Sequence, residues 1–159
     1  MEGRIPLICA TIAFGMGVDK PSVRVVAHWN VPDSISNYYQ ESGRAGRDGK
    51  SSYARIYYSK RDQYLMMSIG DRKGANDEQE IENFASMMEY CESINCRHGL
   101  FSQYFDNEQF ECLTSCDVCL DRENVREKVA TFNNIEKNSD NSSQSFSFPH
   151  SLIEFNLRL

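Results

Sequence analysis

The stretch QESGRAGRDGKSSYARIYY runs from Gln40 to Tyr58. Its glycines, ending in Gly49-Lys50-Ser51, invite comparison with a phosphate-cradling loop. That loop requires G-x-x-x-x-G-K-[ST] after a strand and before a helix. Counting back from Gly49, the first glycine falls at position 44, which is Arg44; Gly43 stands one residue too early. The flanking order is also reversed. From Asp33 to about Ser42 the pattern is helical, with Ile35, Tyr38 and Tyr39 spaced i, i+3, i+4 and Asp33 or Ser34 placed to cap. Tyr53–Ser59 then alternates as a strand. Phosphate-binding amides sit at the start of a helix, which this order does not offer. What remains is Gln40, Arg44 and Arg47, separated by glycines. Gln40 and Arg44 are one helical turn apart and can point the same way. Arginine forks suit phosphate oxygens. The plain alternative is a surface turn with local ion pairs, joining Arg44 or Arg47 to Glu41, Asp48 or Asp62.

Working outward, IPLICATIAF reads as a buried strand leading into a loop, Ala10–Pro21, with Thr11, Gly15, Gly17, Asp19 and Lys20. Loops at the carboxyl ends of parallel strands are where α/β sheets bind ligands. An ordinary glycine turn is the plain alternative. RVVAHWNV is a second β-branched run, bounded by Pro21 and Pro32. Strand, loop, strand, helix, strand predicts a piece of a parallel α/β sheet. Asp77–Glu92 predicts a helix with Ile81, Phe84, Ala85, Met88 and Cys91 on one face, and Arg97–Phe105 a second. The Asn/Ser-rich run after Asp121 predicts a flexible tail or linker. SLIEFNLRL is apolar enough to dock but too short to assign.

The 159 residues suffice for about one domain or two small ones. No apolar run approaches the roughly 20 residues that span a bilayer, and the start lacks the secretory pattern. The default expectation is a soluble intracellular protein without membrane partners. The net charge is −6, but unevenly spread. Residues 1–75 hold eleven basic and seven acidic side chains, residues 76–122 two and eleven, and residues 123–159 four and five. Only the first part could supply an electrostatic footprint for phosphates.

Six cysteines are present: Cys9, Cys91, Cys96, Cys112, Cys116 and Cys119. CLTSCDVC spaces three of them as C-x3-C-x2-C, and Cys96 lies upstream after a helix. Short-spaced thiolates of this kind suit a closed, structural four-cysteine zinc site. Disulfides compete less well in an intracellular chain, and an iron–sulfur cluster is a further rival. Cys91 could replace Cys96, but its helical spacing puts it on the buried face with Phe84 and Met88. Cys9 falls in the expected core strand, where it would be inert.

ATIAFGMGVDKP, VRVVAHWNVPDSISNYYQESGRAGRDG and CRHGLFSQYF…CLTSCDVCLD, in this order, resemble the RecQ family of ATP-dependent DNA helicases over roughly residues 5–121. The resemblance implies a partial RecA-like α/β lobe over residues 1–74. A small helical zinc-binding subdomain with four cysteine ligands would follow over 75–122, then a tail over 123–159. It implies that Arg47 is an arginine finger on ATP, with Arg44 nearby and Gln40 coupling the cleft to DNA. Gly17, Asp19 and Gly46 would lie on the cofactor side, and Thr11 would meet a DNA phosphate. The zinc ligands carry over as Cys96, Cys112, Cys116 and Cys119.

The same resemblance implies 3′-to-5′ unwinding of DNA, single-stranded or forked, with ATP and Mg²⁺ as cofactors. It also implies a nuclear setting and roles in repair, recombination and replication. The P-loop and the Asp-Glu box of an N-terminal RecA-like lobe are not in this sequence. The expectation is therefore a C-terminal helicase piece, a truncated product or partial gene model, inactive alone and dependent on that missing lobe. The alternative is a non-catalytic, zinc-stabilised DNA-binding or interaction module.

Overall fold

The computed structural model describes residues 7–11, 20–59, 61–64, 78–108, 110–139 and 153–158. Its elements are β1 (Val25–His28), α1 (Ile35–Ser42), β2 (Tyr53–Tyr58), α2 (Glu78–Glu92), α3 (Arg97–Tyr104), α4 (Asp117–Leu120), α5 (Arg122–Ser139) and β3 (Ile153–Arg158). β1 and β2 pair in parallel, from Val25 opposite Tyr53 to His28 opposite Ile56. α1 makes the crossover between them, as parallel strands require. Ser34 caps α1, its Oγ accepting the Asn37 N–H at 3.1 Å. β2 alternates as its sequence predicts: Ala54, Ile56 and Tyr58 are fully buried.

Two expectations change here. The sheet is mixed, because β3 adds to β2 in antiparallel register, Tyr53 opposite Arg158 and Tyr58 opposite Ile153. Residues 122–139, expected to belong to a flexible tail, form an 18-residue helix. Val125, Val129 and Phe132, at i, i+4, i+7, are buried, and Phe132 packs on Tyr58 with ring centroids 4.8 Å apart. That stripe outweighs the polar composition around it.

The expected first strand also differs. Residues 7–11 have no regular structure and are exposed, Leu7 and Cys9 among them. No other strand pairs with this segment among the described residues, so its backbone has no ladder to join. Cys9 is therefore not a core thiol.

One hydrophobic core runs through the sheet, α1, α2, α3 and α5. Its centre is aromatic: Tyr38 of α1 lies 5.7 Å from both Tyr90 of α2 and Phe101 of α3. The buried face of α2 is Phe84, Met87, Tyr90 and Cys91. It is rotated from the expected one, leaving Ile81 exposed. Cys91 is fully buried, and burial pushes its thiol up to about 12. It stays a neutral core residue, as its helical spacing predicts. The boundary expected near residue 74 falls outside the described residues.

Candidate functional site

The arginine-bearing loop leaves the C-terminus of α1 and enters β2, so helix carbonyls, not amides, face it. This excludes a P-loop cradle by geometry. The chain tightens after Ser42: Gly43, Arg44 and Ala45 N–H groups bond to Tyr39, Glu41 and Ser42 carbonyls at 3.0, 3.2 and 3.0 Å. Gly46 then turns with φ +71, and its N–H bonds to the Val23 carbonyl at 3.0 Å. A Cβ at Gly46 would stand 2.3 Å from Ser52 Oγ, so only glycine fits without rearrangement.

Arg24, just before β1, clamps the loop from the other side. Its guanidinium bonds to the carbonyls of Pro21, Ser22 and Ser51 and to Asp48 Oδ1 at 2.6 Å. That hydrogen bond holds the Asp48 carboxyl below its usual range.

The carboxylates expected to pair with Arg44 or Arg47 have other partners. Glu41 meets His28 Nε2 at 2.7 Å, Asp48 meets Arg24, and Asp62 accepts from Asn30 and Ser59. Arg44 is half-buried, and its Nε is buried without a hydrogen-bond partner. Arg47 and Gln40 are exposed. Thr11 is exposed as well, while Gly17 and Asp19 lie outside the described residues.

The cysteine cluster is built on two helix starts. Cys96 is the N-cap of α3, and its Sγ accepts the Gly99 and Cys112 N–H groups at 3.5 and 3.3 Å. Cys116 is the N-cap of α4, accepting the Cys119 N–H at 3.4 Å. Between Cys112 and Cys116 the chain turns sharply. Thr114 N–H bonds to the Cys112 carbonyl at 2.7 Å, and Leu113 takes a left-handed φ of 61°.

Ligand atoms of Cys96, Cys112, Cys116 and His98 all lie within 4.8 Å of one another. Cys119 stands outside that set, though near enough for the Cys96 and Cys116 thiols to act on its own. Three of the four expected cysteines are thus brought together with His98, and Cys119 stands beside that set. Burial raises the Cys96 thiol, but the amides of Cys112 and Gly99 outweigh it and draw it below the ordinary range. Burial and the neighbouring thiols Cys96 and Cys116 push Cys119 up to about 11. Sulfurs crowded in this way share protons that a divalent cation would displace. The donor set of thiols and one imidazole fits zinc.

Arg97 braces the cluster. It is 1% exposed, and its Nε meets Asp117 Oδ1 at 3.0 Å. It also donates to the Tyr90 carbonyl and lies over the Tyr90 ring. Arg97 follows Cys96 and Asp117 follows Cys116, so this buried pair ties the two ligand-bearing helix starts together. β3 closes the far side. Its Arg158 N–H bonds to the Ser115 carbonyl at 2.8 Å and its Nε to Ser51 Oγ at 3.0 Å. Neither His98 nor β3 was assigned from sequence; a histidine two residues after Cys96 was the only signal for the former.

Comparison with known proteins agrees with this layout. Residues 1–49 match the family model described as helicase conserved C-terminal domain, and residues 59–120 the model for RecQ zinc-binding. The chain is 42% identical to ATP-dependent DNA helicase Q5 of Rattus norvegicus, over 81% of this chain and 14% of that protein. It is 43% identical to ATP-dependent helicase SGS1 of Saccharomyces cerevisiae, over 76% and 9%. With RecQ-like DNA helicase BLM of Xenopus laevis it shares 39% identity, over 79% and 10%. The chain thus spans about one seventh or less of the length of these relatives. No helix among the described residues is long and apolar enough to cross a membrane. With a helicase C-terminal segment running into a RecQ zinc-binding segment, and both on one core, the chain belongs to the RecQ helicase family.

Proposed function

We propose that this chain is the part of a RecQ-type, ATP-dependent 3′-to-5′ DNA helicase that closes the ATP site from the side opposite the P-loop. The observation that carries this reading is the clamped loop after α1. Gly46, Arg24 and the turn at Ser42 fix the backbone that presents Arg44 and Arg47. The buried Nε of Arg44 has no protein hydrogen-bond partner and is a charged donor still in need of an acceptor. Arg47 is then the finger that offsets charge on the transferred phosphoryl group. Arg44 binds beside it, with Gly46, Gly17 and Asp19 on the same side, and Gln40 couples the cleft to DNA. Thr11 contacts a DNA phosphate. Mg²⁺ and the P-loop come from an N-terminal RecA-like lobe.

Cys96, Cys112, Cys116 and Cys119 hold one structural zinc ion, which supplies cohesion and no chemistry. The partners are ATP and single-stranded or forked DNA, and the setting is the nucleus, in repair and recombination. The 159-residue chain alone should show no DNA-stimulated ATP hydrolysis. The longer protein, with a P-loop and an Asp-Glu box in frame, should show it. Clear turnover by the pure short chain would contradict this reading.

A further inference from the structure

His98 is unexplained by the four-cysteine reading. One of its ring nitrogens lies within 4.8 Å of the sulfurs of Cys96, Cys112 and Cys116. Its Nδ1 is buried and has no hydrogen-bond partner. A buried ring nitrogen with no partner in the protein, on a histidine beside three sulfurs, is a donor available to a metal ion.

Cys119 relates to the same three sulfurs differently. Its thiol lies near enough for those of Cys96 and Cys116 to act on it, yet it stands outside the set that includes His98. Two candidate donors, His98 and Cys119, therefore stand beside one three-sulfur base. A tetrahedral ion on that base has one remaining position, and zinc accepts either a fourth thiolate or an imidazole there.

We propose that Cys119 and His98 are alternative fourth ligands on a shared Cys96–Cys112–Cys116 base. When the Cys119 sulfur is removed or blocked, Nδ1 of His98 takes the vacated position and the ion stays. The proposal rests on the zinc reading above, and a wild-type chain free of zinc would remove both.

Metal content of the purified 159-residue chain tests it. Cys119→Ser should retain about one ion per chain, bound roughly 10–100-fold more weakly, the range seen when a site's supporting contacts are lost. Adding His98→Ala to that variant should abolish stoichiometric binding. With cobalt as probe, Cys119→Ser should show three-thiolate charge transfer and a spectrum shifted by a nitrogen ligand. Cys116→Ser, which breaks the base, should lose the ion outright. Retention of the ion by the double variant, or a Cys119→Ser cobalt spectrum that His98→Ala does not alter, would overturn the proposal.

If Cys119→Ser does not fold, a second arm decides. Folded wild-type and His98→Ala chains are modified with a methanethiosulfonate, and those blocked at Cys119 alone are isolated. The wild type should keep its ion and His98→Ala should release it; equal behaviour of the two would overturn the proposal. In either arm an intact wild-type ion preserves the zinc reading whatever His98 does.

Discussion

At the level of single residues, backbone conformation is as informative as side-chain chemistry. Leu113 is 77% exposed and sits at φ 61°. An ordinary side chain in the left-handed region costs roughly 1–2 kcal/mol, and nothing around an exposed leucine offsets it. Its position between Cys112 and Cys116 accounts for the strain, because the three-residue knuckle must reverse tightly for both sulfurs to converge. Leu113→Gly should therefore stabilise the chain by about 0.5–1 kcal/mol, after glycine's greater loss of freedom on folding is counted. Urea denaturation of the two zinc-loaded proteins would measure this, and a destabilised variant would argue that the leucine side chain packs on something else. The cysteines were legible in the sequence because their spacing is itself the signal. His98 was not, because its approach to Cys112 and Cys116 depends on how α3 docks. Arg44 and Arg47 were legible as a pair, but the partners of Glu41, Asp48 and Asp62 were not. Those carboxylates pair across the loop and the sheet, beyond any local spacing rule.

At the level of elements, periodicity decided what could be read. β1, α1, β2, α2 and α3 follow from alternating or helical apolar spacing. α1 ends where glycines begin, and β2 buries the residues its alternation selects. α5 was missed because its buried stripe of Val125, Val129 and Phe132 is thin and lies in a polar, Asn/Ser-rich stretch. The stripe makes a test. Phe132 is 1% exposed and packs on Tyr58, whose hydroxyl donates to Glu92 of α2 at 2.6 Å. Phe132→Ala should cost about 3–5 kcal/mol, the usual range for emptying a buried aromatic site. Thermal unfolding should show a lowered midpoint for the variant. An unchanged midpoint would mean that α5 does not hold the core.

At the level of the whole molecule, one core serves both the arginine loop and the cysteine cluster. Tyr38 lies in the sheet's crossover helix, and its ring meets Tyr90 and Phe101 from the zinc-binding segment. Arg158 touches both regions at once, through Ser51 and Ser115. Docking of β3 was not legible, since an isolated apolar hexamer carries no record of which edge it will join. This arrangement predicts that metal removal acts beyond the cluster. Structural zinc contributes apparent binding energies of roughly 10–16 kcal/mol in small peptides, more than a domain of this size has to spare. Metal analysis should find about one zinc per chain, and a strong chelator should abolish most of the helical circular dichroism. Helicity that survives complete metal removal would deny the cluster a structural role.

Arg47 is the residue on which the proposed ATP-site role depends. In a helicase that joins this chain to a P-loop-bearing lobe, Arg47→Ala should leave nucleotide binding intact while DNA-stimulated ATP turnover falls by roughly 10³–10⁵, the span that arginine fingers contribute in other nucleotide hydrolases. Steady-state ATPase rates set beside nucleotide affinity would measure this. An unchanged kcat with unchanged affinity would contradict the assignment of this loop to the ATP site.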